Sequence, residues 1–92
     1  MIDIGIGGIT EWVKAAKLVQ AQGVPVVSHL ATEVLAHAVA AQPNGLIVEY
    51  WPPARPLFEE APRVEDGNPV LSSRPGLGLT LDEKAMQHYA TV

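Results

Sequence analysis

Val24-Pro25-Val26-Val27-Ser28-His29 is a short apolar run that ends on a histidine, and a segment with helical spacing lies on either side of it. Short runs rich in β-branched residues are typical of buried parallel strands. Folds of the α/β class place their chemistry at the carboxyl ends of such strands. The stretch therefore predicts a strand and makes His29 the first candidate for a functional residue.

The flanking segments extend this pattern to the order β-α-β-α-β. Residues 2–6 and 46–50 are short and rich in Ile, Leu and Val, and they predict two further strands. Residues 11–22 and the segment between Thr32 and Pro43 have apolar positions at helical spacing, with Thr10 and Thr32 as candidate N-caps. Right-handed crossovers would pair the three strands in parallel and place both helices on one face.

The second half of the chain has a different composition. Prolines crowd residues 51–92 and exclude long regular elements. We predict short strands, one of them over residues 79–81, a turn at Asp66-Gly67, and a last helix over residues 83–89 capped by Asp82. The chain is thus divided into a β-α-β-α-β unit at 1–50 and a proline-rich extension at 51–92.

Composition excludes several classes of function. The net charge is −4 and the six cations are scattered, so no basic surface for nucleic acid is expected. No apolar run approaches the roughly 18 residues of a membrane span, and no basic-then-apolar leader is present. The absence of cysteine excludes disulfides and thiolate zinc sites. We expect a cytoplasmic protein without a membrane partner.

Three parallel strands with two helices on one face do not make a closed unit. The other face of the sheet would be bare, and both edge strands would be apolar and open to pairing. We therefore predict that the chain is a slice of a larger fold, completed by self-association into a homo-oligomer or by a complementing fragment.

Five spaced motifs carry a family resemblance that covers nearly all of the chain. They are Gly7-Gly8-Ile9-Thr10-Glu11-Trp12, Gly23 to Leu30, Pro43-Asn44-Gly45-Leu46 with Glu49-Tyr50, Pro56-Leu57-Phe58-Glu59-Glu60, and Arg74-Pro75-Gly76-Leu77-Gly78-Leu79. In this order they resemble the C-terminal part of mandelate racemase and muconate lactonizing enzyme relatives in the enolase superfamily. The resemblance implies a modified TIM barrel. Residues 1–50 would then be a partial (β/α) barrel that contains its last three strands, and the chain would be a slice of that TIM-type barrel.

The resemblance also implies site residues. In the family, a divalent metal, usually magnesium, assists removal of the proton α to a carboxylate. His29 matches the catalytic acid or base at the end of the seventh strand, and Glu49 matches the acidic residue at the end of the eighth. Asp3 is the candidate partner of the histidine, but the family pattern places the aspartate at the position of Ile2. A one-residue offset turns a side chain to the other face, so either a bulge or local shift restores Asp3 or the pair is broken.

The family's metal ligands and lysine base lie on earlier strands, so we expect no cofactor in the isolated chain. The resulting hypothesis is a C-terminal fragment of a racemase or dehydratase, inactive alone and able to act on a carboxylate substrate only when completed. The alternative is a non-catalytic module that self-associates or complements a partner.

Two further patterns have weaker functional interpretations. Glu33 and His37 are four residues apart on the second helix, a spacing that permits metal binding but more often gives an intrahelical contact. Gly76-Leu77-Gly78 lacks the strand and helix context of a phosphate loop and predicts a turn.

Overall fold

The computed structural model of the chain describes residues 1–60 and 62–91. Its first half contains a parallel three-stranded sheet of β1 (Ile2–Asp3), β2 (Val26–His29) and β3 (Gly45–Ile47), in the spatial order β1-β2-β3. The stretch that ends on His29 is therefore the central strand. The predicted β-α-β-α-β order with parallel pairing is confirmed.

Two helices connect the strands, α1 (Gly8–Gln20) and α2 (Thr32–Ala40). The helix α1 begins earlier than predicted, because Gly7 at φ 142° occupies the N-cap position and Thr10 lies inside the first turn. In α2, Thr32 is the first helical residue instead of the cap.

One apolar core lies between the helices and the sheet. Trp12 and Leu35 are its largest members, each with 0% of its surface exposed, and α1, α2 and β2 all contribute to it. Within β2, Val26 and Ser28 are buried while Val27 and His29 are only half-buried. Because successive side chains of a strand point to opposite faces, both helices cover the face that carries Val26, and His29 belongs to the other face.

The predicted strand over residues 2–6 is wrong in its extent. β1 ends at Asp3, and Ile4–Ile6 form a 3₁₀ turn. The Asp3 side chain causes this ending, because its Oδ1 accepts a hydrogen bond of 2.6 Å from the Gly5 amide. A carboxylate that bonds the backbone two residues ahead favours a turn over an extended strand.

Residues beyond β3 form short elements, as expected from the prolines. A 3₁₀ turn at Arg55–Leu57 precedes the antiparallel hairpin of β4 (Arg63–Glu65) and β5 (Asn68–Val70), and the last helix is α3 (Glu83–Tyr89). Asp82 caps α3 by accepting a 2.9 Å hydrogen bond from Ala85.

Two turn predictions can be compared with the backbone. Asp66 and Gly67 connect β4 to β5 with φ of 49° and 76°, the left-handed pair of a tight hairpin. The strand predicted over residues 79–81 is reduced to a single bridge between Leu81 and Phe58. The division at residue 50 stays a prediction. Across the described ranges 1–60 and 62–91, no helix combines the length and the apolar character that crossing a bilayer requires.

Candidate active site at the strand ends

The side chains of His29 and Asp3 meet at the carboxyl ends of the two strands that carry them. β1 and β2 pair in parallel with Asp3 opposite His29, and the distance between His29 Nδ1 and Asp3 Oδ2 is 2.7 Å. The two side chains are 41% and 44% exposed, so the pair is open to solvent on one side. This contact gives the histidine an orienting carboxylate.

The register of β1 decides between the two alternatives that the sequence left open. Ile2 pairs with Ser28 and packs against the apolar core, so the position at which the family pattern places the aspartate points toward the helices. Asp3 follows at the strand end and shares the face of His29. Asp3 therefore contacts His29 without a bulge in β1, and its functional role stays a prediction.

The carboxyl group of Asp3 is held in its ionised form. The Gly5 amide that bonds Oδ1 has the largest effect and lowers the pKa of Asp3 below its usual value of 3.8, and the hydrogen bond with His29 lowers this pKa further. Hydrogen bonds to a charged carboxylate favour the charged form. At neutral pH, Asp3 is therefore an anion that can stabilise a protonated imidazole.

Glu49 lies just past the end of β3, beside the segment that leaves β2. Its Oε2 accepts a hydrogen bond of 2.6 Å from the Leu30 amide, the residue directly after His29. The Glu49 amide donates to the Ser28 hydroxyl over 2.9 Å. The three predicted site residues therefore sit at the ends of three neighbouring strands.

The backbone between His29 and α2 adopts an uncommon conformation. Leu30 and Ala31 have φ of 55° and 44°, in the left-handed region that residues with a Cβ rarely occupy. Such residues persist only where surrounding contacts fix them, and they cluster at functional sites. The Glu49 carboxylate on the Leu30 amide is one such contact.

Sequence reasoning missed two hydroxyl groups of this region. Ser28 and Thr32 are both fully buried, and both bond the backbone around Glu49. The period-2 alternation of β2 was the available signal, because it places Ser28 on the apolar face where a hydroxyl needs a partner.

The Glu33 and His37 pair does not form the intrahelical contact that was expected. His37 Nε2 lies 3.2 Å from the Leu77 carbonyl oxygen and joins α2 to the C-terminal extension. Glu33 is buried, and its Oε1 has no hydrogen-bond partner among the described residues. Gly76 and Gly78 take φ of 66° and 67°, which is consistent with a turn.

The family resemblance implies a metal ion, so the described side chains are compared with what a metal site requires. Within residues 1–60 and 62–91, no group of three or more His, Asp or Glu side chains is arranged to hold a metal ion. The described residues therefore do not fit a complete magnesium site.

Comparison with known proteins identifies the family to which the chain belongs. The family described as enolase C-terminal domain-like matches residues 3–85. The chain belongs to this family. The match includes β2, β3 and the last residue of β1, and the family resemblance seen in the motifs is confirmed.

Three relatives show how much of a family member the chain represents. It is 38% identical over 80 residues to the L-talarate/galactarate dehydratase of Salmonella typhimurium, which covers 87% of the chain and 20% of that enzyme. The L-talarate dehydratase from Polaromonas sp. JS666, solved with Mg and L-glucarate, is 38% identical, with a TM-score of 0.86 over 95% of the chain and 25% of that structure. A mandelate racemase/muconate lactonizing enzyme from the same organism gives 38% identity and a TM-score of 0.85 over 95% and 24%.

The chain therefore spans about a fifth to a quarter of the length of these family members. Its three parallel strands superimpose on a much larger fold, which confirms the prediction of a slice of a TIM-type barrel.

Proposed function

We propose that the chain supplies the acid–base part of an enzyme that removes the proton α to a carboxylate of a hydroxy acid. His29 is the group that moves the proton, Asp3 orients it, and Glu49 is the acidic group beside it. The observation that carries the proposal is the 2.7 Å contact between His29 Nδ1 and Asp3 Oδ2 at the open ends of two parallel strands.

The geometry supports a defined role for the imidazole. With Nδ1 bonded to an anionic carboxylate, the neutral ring carries its proton on Nδ1 and presents the lone pair of Nε2. That lone pair can accept a proton from carbon, and the imidazolium so formed is stabilised by Asp3. In the reverse direction the same nitrogen donates its proton, so one residue serves as base or acid.

Glu49 is suited to contact the substrate's carboxylate end or the intermediate. Oε2 is held by the Leu30 amide, which fixes the carboxyl group without consuming its second oxygen. When Glu49 is protonated, its free oxygen Oε1 can donate a hydrogen bond to an anionic intermediate. Glu49 and His29 both lie at the carboxyl ends of the strands.

Dehydration of a sugar acid is the reaction that the relatives favour. The Salmonella relative and a D-xylonate dehydratase of Haloferax volcanii, 34% identical, are both dehydratases. In such a reaction, loss of the α-proton is followed by departure of the β-hydroxyl, which requires a proton donor. The imidazolium of His29 is a candidate for that donor.

We propose that the isolated chain has no catalytic activity, because its described residues contain no complete metal site. The Polaromonas relative that was solved with Mg is about four times as long as this chain. In heavy water, the purified 92-residue chain should not exchange the α-proton of 2-hydroxy acids even with magnesium added. Clear exchange that is lost on His29→Ala would contradict this part of the proposal.

A chimera tests the acid–base role itself. The matching fifth of the Salmonella dehydratase is replaced by residues 1–92, and turnover of galactarate is measured. We expect His29→Asn to lower kcat by about 10²–10⁴-fold, the usual contribution of general acid–base catalysis. The control is His88→Asn, since His88 is exposed on α3. An active chimera that tolerates His29→Asn would refute the assignment, and so would a folded, magnesium-binding chimera without activity.

A second candidate function rests on a different observation. The edge strand β3 leaves Leu46 and Ile47 exposed at 62% and 59%. We propose that this edge pairs with a second copy or with further barrel strands, as open apolar edges tend to do. Sedimentation at micromolar concentration should show a dimer or larger species. Ile47→Lys should dissociate it, whereas Leu18→Lys, at an exposed position of α1, should not. A monomeric wild-type chain would exclude the homo-oligomer.

A further inference from the structure

Two buried hydroxyl groups hold the backbone on both sides of the Glu49 side chain. The Ser28 hydroxyl accepts a hydrogen bond of 2.9 Å from the Glu49 amide. The Thr32 hydroxyl donates to the Glu49 carbonyl oxygen over 2.8 Å and accepts from the Trp51 amide over 3.1 Å. Both Ser28 and Thr32 are 0% exposed, so water does not compete for these bonds.

These bonds occur where regular strand pairing has ended. The pairing between β2 and β3 ends at Val27 and Ile47, and its register shifts just before them. Glu49 therefore lies two residues beyond the ladder, on backbone that the sheet does not fix. The two hydroxyls take over the role of the ladder in this short segment.

The Glu49 carboxylate in turn lies on the strained segment that follows His29. Its Oε2 accepts from Leu30, the first of two residues with left-handed backbone. A shift of the Glu49 backbone would break this bond and remove a contact that holds the Leu30 conformation. The position of His29, the preceding residue, is thereby connected to the two hydroxyls.

We propose that Ser28 and Thr32 are positioning residues, whose hydroxyl groups fix the backbone of Glu49 and so keep its carboxylate on the Leu30 amide beside His29. The meaning of this arrangement for catalysis rests on the proposed function. The positioning itself is a property of the 92-residue chain and can be measured without substrate.

Native-state amide hydrogen exchange, followed by NMR, tests the proposal. In the wild-type chain the Leu30 and Trp51 amides, which lie outside every strand and helix, should exchange at least about 100-fold more slowly than unstructured amides. Thr32→Val keeps the shape of the side chain but removes the hydrogen bonds to the Glu49 carbonyl oxygen and from the Trp51 amide. Exchange of the Leu30 and Trp51 amides should then be at least about tenfold faster, relative to amides within α1. Thr32→Ser should restore protection, because it returns the hydroxyl.

Matched controls separate positioning from general stability. Thr10→Val makes the same change at an exposed site of α1 and should leave the Leu30 amide unchanged. Ser28→Ala should accelerate the Glu49 amide first. Unprotected Leu30 and Trp51 amides in the wild-type chain, or equal acceleration of all amides by Thr32→Val, would overturn the proposal. An inactive chimera with selective acceleration would refute only the proposed function.

Discussion

Replacement of Trp12 by phenylalanine tests the connection between the core and the candidate site. Trp12 is fully buried on α1, and its indole Nε1 donates a 3.0 Å hydrogen bond to the Ile2 carbonyl oxygen. Ile2 precedes Asp3 on β1, a strand of only two residues. The indole is therefore a side-chain anchor for the strand that presents Asp3 to His29.

The expected loss of stability follows from two contributions. The lost hydrogen bond is worth about 1 kcal/mol. The smaller ring leaves a void of roughly 40 Å³, and at about 24 cal/mol per Å³ this costs on the order of 1 kcal/mol more, before the transfer free energy of the missing atoms is added. We expect Trp12→Phe to lower the free energy of unfolding by about 2–3 kcal/mol, a large part of the roughly 5–14 kcal/mol available to a domain of this size.

Urea unfolding followed by circular dichroism measures this loss. Trp51→Phe is the matched control, because Trp51 is 59% exposed and its replacement should change the free energy of unfolding by less than about 0.5 kcal/mol. In Trp12→Phe the NMR signals of Asp3 and His29 should also shift, since β1 loses its anchor. Equal effects of the two substitutions, or a loss below about 0.5 kcal/mol for Trp12→Phe, would refute the reasoning.

Three other substitutions test single features of the structure. Gly45→Ala should destabilise the chain by about 1–3 kcal/mol or prevent folding, because the added Cβ would collide with the Val39 carbonyl oxygen; urea unfolding at near wild-type stability would contradict this. Asp3→Asn removes a carboxylate whose folded-state pKa lies below 3.8, so its contribution to stability should be complete at neutral pH and disappear as the pH falls through that lowered pKa. The difference in unfolding free energy between the wild-type chain and Asp3→Asn should thus disappear only at acidic pH. A difference that increases at acidic pH would contradict the prediction. Asp82→Ala removes the cap of α3 and should cost about 1 kcal/mol in thermal unfolding, whereas Lys84→Ala at an exposed position of α3 should change the stability little.

Local chemistry explains which parts of the fold could be predicted. The apolar run before His29 has few alternatives to a buried strand, and the observed β2 begins only two residues after the run does. The Asp66-Gly67 turn and the Asp82 cap depend on neighbouring residues alone, and both are present. The parallel order of the strands follows from the helices between them.

Features that depend on tertiary neighbours could not be predicted. Thr32 is a residue type that often caps a helix, yet its hydroxyl bonds Glu49 and Trp51, which are distant in sequence. Glu33 and His37 have the spacing of a helical pair, but His37 bonds the carbonyl oxygen of Leu77. In each case a partner from another segment replaces the local one.

The ending of β1 and the geometry of the site have one physical cause. Asp3 uses Oδ1 to accept from Gly5, which starts the 3₁₀ turn, and Oδ2 to contact His29. A β1 strand that continued to Ile6 would extend the backbone at Gly5 and withdraw its amide from the carboxylate. The strand must therefore stop at Asp3 for the carboxylate to hold the histidine in this way. Counting positions along an uninterrupted strand misplaces this carboxylate, because the Asp3 side chain itself ends the strand.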